Sequence, residues 1–205
     1  MPDPSTDFSP DVGQPAWKVA LFYPEQGGWT EADYFELESG PLVEYDLGCI
    51  EVLDLPSKEH QRMAQFLFLL LVTYVRERKQ GEVFVAPLPI RLWPGKYREP
   101  DVVFLEKSRR ETGGVSDGAD LVIEVLGPGA ESRRRDLVTK VDDYAKAGIA
   151  EYWIVDPEEK LITVLSLDDD SYSQHGLFAE GQTATSKLLP SFTVPVTQVF
   201  LEARS

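Results

Sequence analysis

Five of the six residues from Leu121 to Leu126 are apolar, within "DLVIEVLGPG", residues Asp120–Gly129. A run this short, ended by glycine and proline, reads as a strand buried inside a sheet. Such a strand needs other elements packed over the sheet, which narrows the architectures open to the chain. Glu124 interrupts the run, and an unpaired carboxylate there is costly. Glu124 therefore needs a partner, unless the strand lies at an edge and the carboxylate faces water.

The surrounding pattern supplies helices and further strands. "GGWTEADYFELESG" reads as a short helix with Thr30 as its N-cap and Gly40 near its end. "PLVEYDLGCIEVLDLP" reads as a hairpin turning at "DLG", with Cys49 as a small buried residue beside it. Ser57 can cap a long helix and Gly81 can end it, while Met63, Phe66, Leu67, Leu70, Leu71 and Tyr74 recur at helical spacing. "EVFVAPLPIRLWPG" gives two short extended segments broken by Pro87 and Pro89, and "EPDVVFLEK" gives a strand. After a loop with Gly113, Gly114 and Gly118 and the Glu124 strand, a second helix is expected from about Ser132 to Ala147, stopped by Gly148. "EYWIVD", the turn "PEEK" and "LITVLSL" form another hairpin. Residues 168–205 read as a short strand and a loosely ordered closing segment. Residues 1–16 carry four prolines and read as a flexible tail, and "WKVALFY", 17–23, has strand-like composition. The expected whole is a tail, 1–16, and one α/β domain, 17–205, with a central mixed sheet flanked by helices.

Charge and composition limit the partners. The chain has 205 residues and a net charge of −15, which argues against a general nucleic-acid binder. The acidity lies in the flanks: residues 1–60 hold 13 acids and 2 bases, and residues 151–205 hold 9 acids and 3 bases. Residues 61–150 hold 13 acids and 15 bases, so an anionic substrate would be met by the middle. The longest wholly apolar run, Phe66–Val72, is too short for a membrane span. The N-terminus lacks the pattern of a signal peptide, and one cysteine excludes an internal disulfide, which suits a cytoplasmic protein.

Chemistry is carried by a second carboxylate and a lysine. Asp101 opens the strand "DVVFL"; if that strand neighbours "LVIEVL", Asp101 and Glu124 share one end of the sheet. Two such carboxylates repel unless a cation lies between them, and Mg²⁺ or Mn²⁺ suits an oxygen-rich site. On the following helix, with Leu137 at zero and about 100° per residue, Val141 falls at roughly 40°, Tyr144 at roughly −20° and Lys140 at roughly −60°. Lys140 thus borders the face packed on the sheet and needs an anionic partner there. The bland alternatives are a turn residue for Asp101 and a solvent-seeking side chain for Lys140. A pair of carboxylates working on a sugar would leave Lys140 without a task.

"EPDVVFLEK", "DLVIEVLGPGAESRRRD" and "LVTKVDDYAKAGIAEYWIVDPEEKLITVL" together resemble the bacterial "putative restriction endonuclease" family of the PD-(D/E)XK nuclease superfamily. The resemblance extends from about "GGWTEADYFELE" through "LLPSFTVPVTQVF". It implies a restriction-endonuclease-like fold and a Mg²⁺- or Mn²⁺-dependent DNA endonuclease, hydrolysing phosphodiesters with a metal-activated water. It implies Asp101, Glu124 and the Val125 carbonyl as metal ligands. Leu126 stands where the literal motif has lysine, and Lys140 on the next helix is the matching position. Tyr144, one turn on, would assist catalysis; Glu44 would be a further metal-associated carboxylate and His60 an auxiliary residue. For Glu44 a solvent-facing place on the hairpin is the competing reading, and for His60 a local hydrogen bond. Arg133–Arg135 could meet phosphates or form a solvated patch. By analogy with the superfamily a homodimer is expected. A nuclease fold that binds without cutting is the alternative function.

Overall fold

The computed structural model describes residues 23–37, 42–109 and 115–203. The expected tail, most of the 17–23 segment, and Gly40, Gly113 and Gly114 lie outside these residues. Six strands form the main sheet, in the order β11-β10-β9-β8-β6-β3. They are β3 (Gly81–Val85), β6 (Val102–Glu106), β8 (Leu121–Val125), β9 (Glu151–Asp156), β10 (Leu161–Asp168) and β11 (Ser171–Ala179). Only β8 and β9 run parallel; the other pairings are antiparallel. A parallel pair needs a crossover, and the helical segment 130–146 supplies it. The "LVIEVL" run is therefore an inner strand, and Glu124 is 4 % exposed rather than facing water.

Both faces of this sheet are covered. The long helix α2 (Lys58–Arg78) follows α1 (Glu31–Phe35) in the chain. It packs Met63, Leu67 and Leu71 against Leu121, Ile123, Val125 and Trp153. The C-terminal helix, α5 (Val196–Glu202), joins that layer through Val199 and Phe200. On the opposite face, Val122, Leu126, Tyr152 and Ile154 pack with Tyr144 of the crossover helix. The alternation along β8 thus sends odd-numbered residues to α2 and even-numbered ones, Glu124 among them, to the crossover.

A smaller five-stranded sheet carries the hairpin. Its order is β2-β1-β5-β4-β7, from β1 (Val43–Asp46), β2 (Cys49–Val52), β4 (Ile90–Trp93), β5 (Lys96–Arg98) and β7 (Ser116–Asp117). Leu47 and Gly48 both have positive φ, 44° and 88°, the geometry of a two-residue hairpin turn. Thr30 caps α1 in a reciprocal capping box with Asp33, and the helix ends by Glu36. The hairpin and the helix caps follow the sequence pattern closely.

Four details differ from expectation. Helix α2 ends at Lys79, in the left-handed region with φ 54°, two residues before Gly81. Gly81 instead opens β3, where a Cβ would sit 1.9 Å from the Leu105 carbonyl oxygen, so close pairing with β6 is what demands glycine. Cys49 is exposed, because β2 forms the edge of its sheet. The closing segment is ordered: the nine residues of β11, the ribbon of β12 (Thr183–Thr185) and β13 (Thr193–Pro195), then α5.

Glu151 explains that order. At the start of β9 it is fully buried, with four donors on its carboxylate: Trp153 Nε1 and Ser186 Oγ, each at 2.6 Å, and the backbone N–H groups of Lys187 at 2.7 Å and Leu188 at 2.8 Å. It pins residues 186–188 to the sheet. Glu151→Ala removes one acceptor group and strands four donors, so it should destabilise the fold by about 3 kcal/mol or more in urea unfolding. A change below about 0.5 kcal/mol, the range of ordinary surface substitutions, would contradict this role.

Candidate active site

Glu124 and Asp101 meet at one end of the sheet because β6 and β8 are antiparallel neighbours. Val102 faces Ile123 in the register, so Asp101, just before β6, lies beside the end of β8. Asp101 Oδ2 accepts a hydrogen bond from the Val125 N–H at 2.8 Å. Ser57 caps α2 by accepting from the His60 N–H at 3.1 Å, and this first turn brings His60 to the same place. His60 Nε2 lies 2.9 Å from the Val125 carbonyl oxygen and 3.2 Å from Asp101 Oδ2. Facing two acceptors, Nε2 must carry a proton. Burial opposes the charge on His60, but the bond to Asp101 prevails and raises its pKa. Among the described residues, no hydrogen bond occupies the other Asp101 oxygen, Oδ1.

The crossover helix brings the cation. It is built from α3 (Ala130–Arg134), a wide π-helical turn (Arg135–Thr139) and α4 (Lys140–Lys146). Ser132, Asp136, Lys140 and Tyr144, spaced by four, are all buried, whereas Leu137 is 43 % exposed and Val138 also faces out. In a regular helix a spacing of four drifts by about 40° each time. The wide turn, with more residues per turn, winds the stripe back onto one face. The wheel centred on Leu137 was therefore misplaced; the centre of the buried face is the polar stripe.

Lys140 is 2 % exposed and surrounded by three carboxylates. Its Nζ lies 2.7 Å from Glu124 Oε1, 3.1 Å from Glu44 Oε1 and 3.3 Å from Asp136 Oδ1. An ammonium has three N–H donors, and here each has an anionic neighbour. Burial works against its charge, yet Glu124, Glu44 and Asp136 together raise its pKa, so Lys140 stays protonated. Glu124 Oε1 also accepts from the Tyr144 hydroxyl at 2.7 Å. Burial pushes the Glu124 carboxyl up to about 8, with Lys140 opposing and Asp136, Asp101 and Glu44 reinforcing the rise. Tyr144 is likewise pushed well above the ordinary phenol range by burial.

Glu44 is buried, which removes the solvent-facing reading for it. Its Oε2 pairs with Arg98, and its Oε1 meets Lys140 and the Glu99 N–H at 3.2 Å. Burial tends to raise its pKa, but Lys140 and Arg98 win and hold it at about 2. Both oxygens are engaged. Arg98 is held in turn by Asp143 of α4 at 2.7 Å. The buried cluster thus ties β1, β5, β8 and the crossover helix together by charge.

A cleft of about 270 Å³ opens over this end of the sheet. Asp101, Glu124, Val125, His60 and Lys140 all line it, together with Asp136, Glu99 and Arg135. Tyr144 and Glu44 do not; they stand behind Glu124 and Lys140. Of the basic run, Arg133 pairs with Asp156 and Glu158, Arg135 with Glu51, and Arg134 is exposed. Among the described residues no group of three or more His, Cys, Asp or Glu side chains is gathered to hold a metal. What the cleft offers is smaller: two carboxylates with an oxygen each free of hydrogen bonds, Asp101 Oδ1 and Glu124 Oε2, and a neighbouring carbonyl. Hard oxygen donors in that number fit an ion such as Mg²⁺ that keeps several waters.

Four participants escaped the sequence reading. Asp136 could have been found from its i,i+4 spacing to Lys140, a helical ion-pair pattern. Arg98 and Lys96 alternate on a short strand, but only the fold shows that both are buried against acids. Glu99 lines the cleft with a buried Oε2 that has no hydrogen-bond partner, and burial raises its carboxyl to about 7. Nothing in the sequence distinguishes it from the acids around it.

The mixed α/β sheet covered by helices on both faces is shared with a known nuclease-like fold. Residues 29–197 match the model of the Uma2 family, described as "Putative restriction endonuclease", and the chain belongs to that family. A similar solved structure is the "putative nuclease belonging to DUF820" from Anabaena variabilis, with a TM-score of 0.69 and 18 % identity. The superposition covers 85 % of this chain and 99 % of that one, and at this identity it speaks for a shared fold. No match was found among the curated proteins. No helix among the described residues is long and apolar enough to cross a membrane.

The Glu44 pairing has a measurable consequence. A carboxylate whose folded pKa is depressed stabilises the fold above its unfolded value, and that stability is lost as pH falls toward the folded value. For Glu44 the window runs from about 4.5 down to about 2. Glu44→Gln leaves Arg98 and Lys140 without their shared anion and should cost about 3 kcal/mol at pH 7. Urea unfolding at pH 7, 4.5 and 3 checks this: the gap between wild type and variant should narrow at the lowest pH. A gap that stays constant or widens would contradict it.

Proposed function

We propose that this chain is a metal-dependent nuclease, hydrolysing phosphodiesters of DNA, with its reacting centre between Asp101 and Glu124. The observation that carries the reading is that Asp101 and Glu124, at the ends of adjacent strands, both line the cleft, each with one carboxylate oxygen, Oδ1 and Oε2, without a hydrogen bond among the described residues. Family membership and the nuclease-like fold support the reaction class. Asp101, Glu124 and the Val125 carbonyl would hold Mg²⁺ or Mn²⁺. Such an ion supplies Lewis-acid stabilisation of the charge that builds on a phosphodiester during hydrolysis.

The chain's own residues have separate tasks. Lys140, its three N–H donors engaged by Glu124, Glu44 and Asp136, holds Glu124 in place and acts as a fixed positive charge that offsets negative charge building on the phosphate. Tyr144 and Lys140 both bind Glu124 Oε1, which fixes the carboxylate plane and leaves Oε2 free. His60, donating through Nε2, holds Asp101 by Oδ2 and leaves Oδ1 available. Glu44, with both oxygens engaged, serves as the counter-ion that keeps Lys140 and Arg98 in place, in preference to acting as a further metal ligand.

A second reading, a nuclease fold that binds without cutting, is favoured by one observation. Seven of the residues lining the cleft are acidic, and the chain's net charge is −15. Two measurements separate the readings. In a plasmid-nicking assay with Mg²⁺ or Mn²⁺, Asp101→Ala and Lys140→Ala should each lower the rate by about 100-fold or more. Nicking that survives both substitutions would remove these residues from the mechanism. Calorimetric titration with Mn²⁺ should show binding lost in Glu124→Gln but retained or tightened in Lys140→Met, since removing a positive charge beside the site favours the ion. Weaker Mn²⁺ binding in Lys140→Met would contradict the assignment of Lys140 as a non-ligand. Because Glu124 must release its proton to bind an ion, affinity should rise between pH 6 and pH 8, by at most about tenfold per unit, and level off above about 8.

A further inference from the structure

The nuclease reading leaves the form of the nucleic acid open, and the cleft's walls and charges bear on it. Beside Asp101, Glu124 and Lys140 the cleft is lined by apolar side chains, Leu53, Leu55, Pro56, Leu126 and Pro128. Leu55 is 87 % exposed, more than any other large apolar side chain among the described residues. Leu53, Pro56 and Leu126 line the same cleft, so Leu55 belongs to an apolar surface there, of the kind that marks a ligand-binding groove.

The cations of the cleft are already taken. Its Lys and Arg lining residues are Arg135 and Lys140. Arg135 pairs with Glu51 at 2.8 Å, and Lys140 with three carboxylates. Arg133, beside them, is closed by Asp156 and Glu158. Duplex DNA carries one charge per about 1.7 Å of axis, twice that of either strand alone, and is held mainly by Lys and Arg on its phosphates. Against seven lining carboxylates, a duplex would bring the most repulsion and find no free cation among the described lining residues.

A single strand brings half that charge density and an unpaired base whose faces are free to lie on apolar walls. We infer that the cleft takes an unpaired nucleotide strand, with one base against Leu55, Pro56 and Leu126 and its phosphate at the Asp101–Glu124 end. This rests on the nuclease reading for the position of the phosphate.

Binding and cutting test it separately. Fluorescence anisotropy in Ca²⁺ would compare single-stranded DNA, single-stranded RNA and blunt duplex DNA, each of about 20 nucleotides, longer than a single binding groove. Single strands should bind at least about tenfold more tightly than the duplex, the equivalent of one lost base contact. The DNA and RNA arms report which sugar is preferred. Leu55→Asp, on the surface, should weaken single-strand binding at least about fivefold, while Leu177→Asp, exposed on β11 away from the cleft, should leave it unchanged. Duplex binding as tight as single-strand binding, no binding of either strand, or indifference to Leu55→Asp overturns the inference. Mn²⁺-dependent cutting of the duplex alone also overturns it while keeping the nuclease reading. Single-strand binding without any cutting does the reverse.

Discussion

The ammonium of Lys140, buried among Glu124, Glu44 and Asp136, is the interaction on which the rest of this fold depends. Charges removed from water are tolerable only when paired and hydrogen-bonded, and removing one partner from such a set costs more than the set contributes. The set draws one member from β1, one from β8 and two from the crossover helix, while Arg98 of β5 balances Glu44 from the far side. The small sheet has its own aromatic core, Trp29, Tyr34, Tyr45 and Tyr97, and is bound to the large one by electrostatics as well as by Ile90 of β4, which shares a core with Val103 and Val122. Such a cluster is a weak source of stability but a strong constraint on geometry. A shift in any of the four elements would leave a charge unpaired.

The same arrangement divides each acidic group into a held half and an open half. Glu124 spends Oε1 on Lys140 and Tyr144, and Asp101 spends Oδ2 on Val125 and His60. Both residues line one cleft. The proposed chemistry follows from this division, because a rigid carboxylate with one free oxygen can meet an ion without first breaking its own support. The acidity that surrounds the cleft serves the same end: it favours cations in the site and disfavours any polyanion that arrives without them.

Much of this was legible in the sequence. Glu124 stood out because a carboxylate in a run of apolar strand residues calls for a partner, and Asp101 because it opens a strand that, as a neighbour of that run, would set the two carboxylates at one end of the sheet. Lys140 was reached from its place beside the packed face of the helix after Glu124 and from the family resemblance, which sets the lysine on that helix. The sequence reading failed where local geometry departs from the ideal. It placed Leu137 at the centre of the packed face because it assumed 3.6 residues per turn, and the π-helical turn moved that centre to Asp136, Lys140 and Tyr144. It read residues 168–205 as loose because the acceptor that orders them, Glu151, lies far earlier in the chain. Arg98 and Glu99 were hidden for the same reason: ordinary charges at the end of a short strand acquire meaning only from what the fold sets beside them.

The central claim is that Asp101 and Glu124 leave one oxygen each for a shared cation. The most direct test is a crystal soaked in Mn²⁺ and measured at a wavelength where manganese scatters anomalously. The account predicts one strong anomalous peak within about 2.0–2.5 Å of both Asp101 Oδ1 and Glu124 Oε2, with Lys140 still at Glu124 Oε1. A peak elsewhere, or a peak that forms only when Lys140 leaves Glu124, would contradict it.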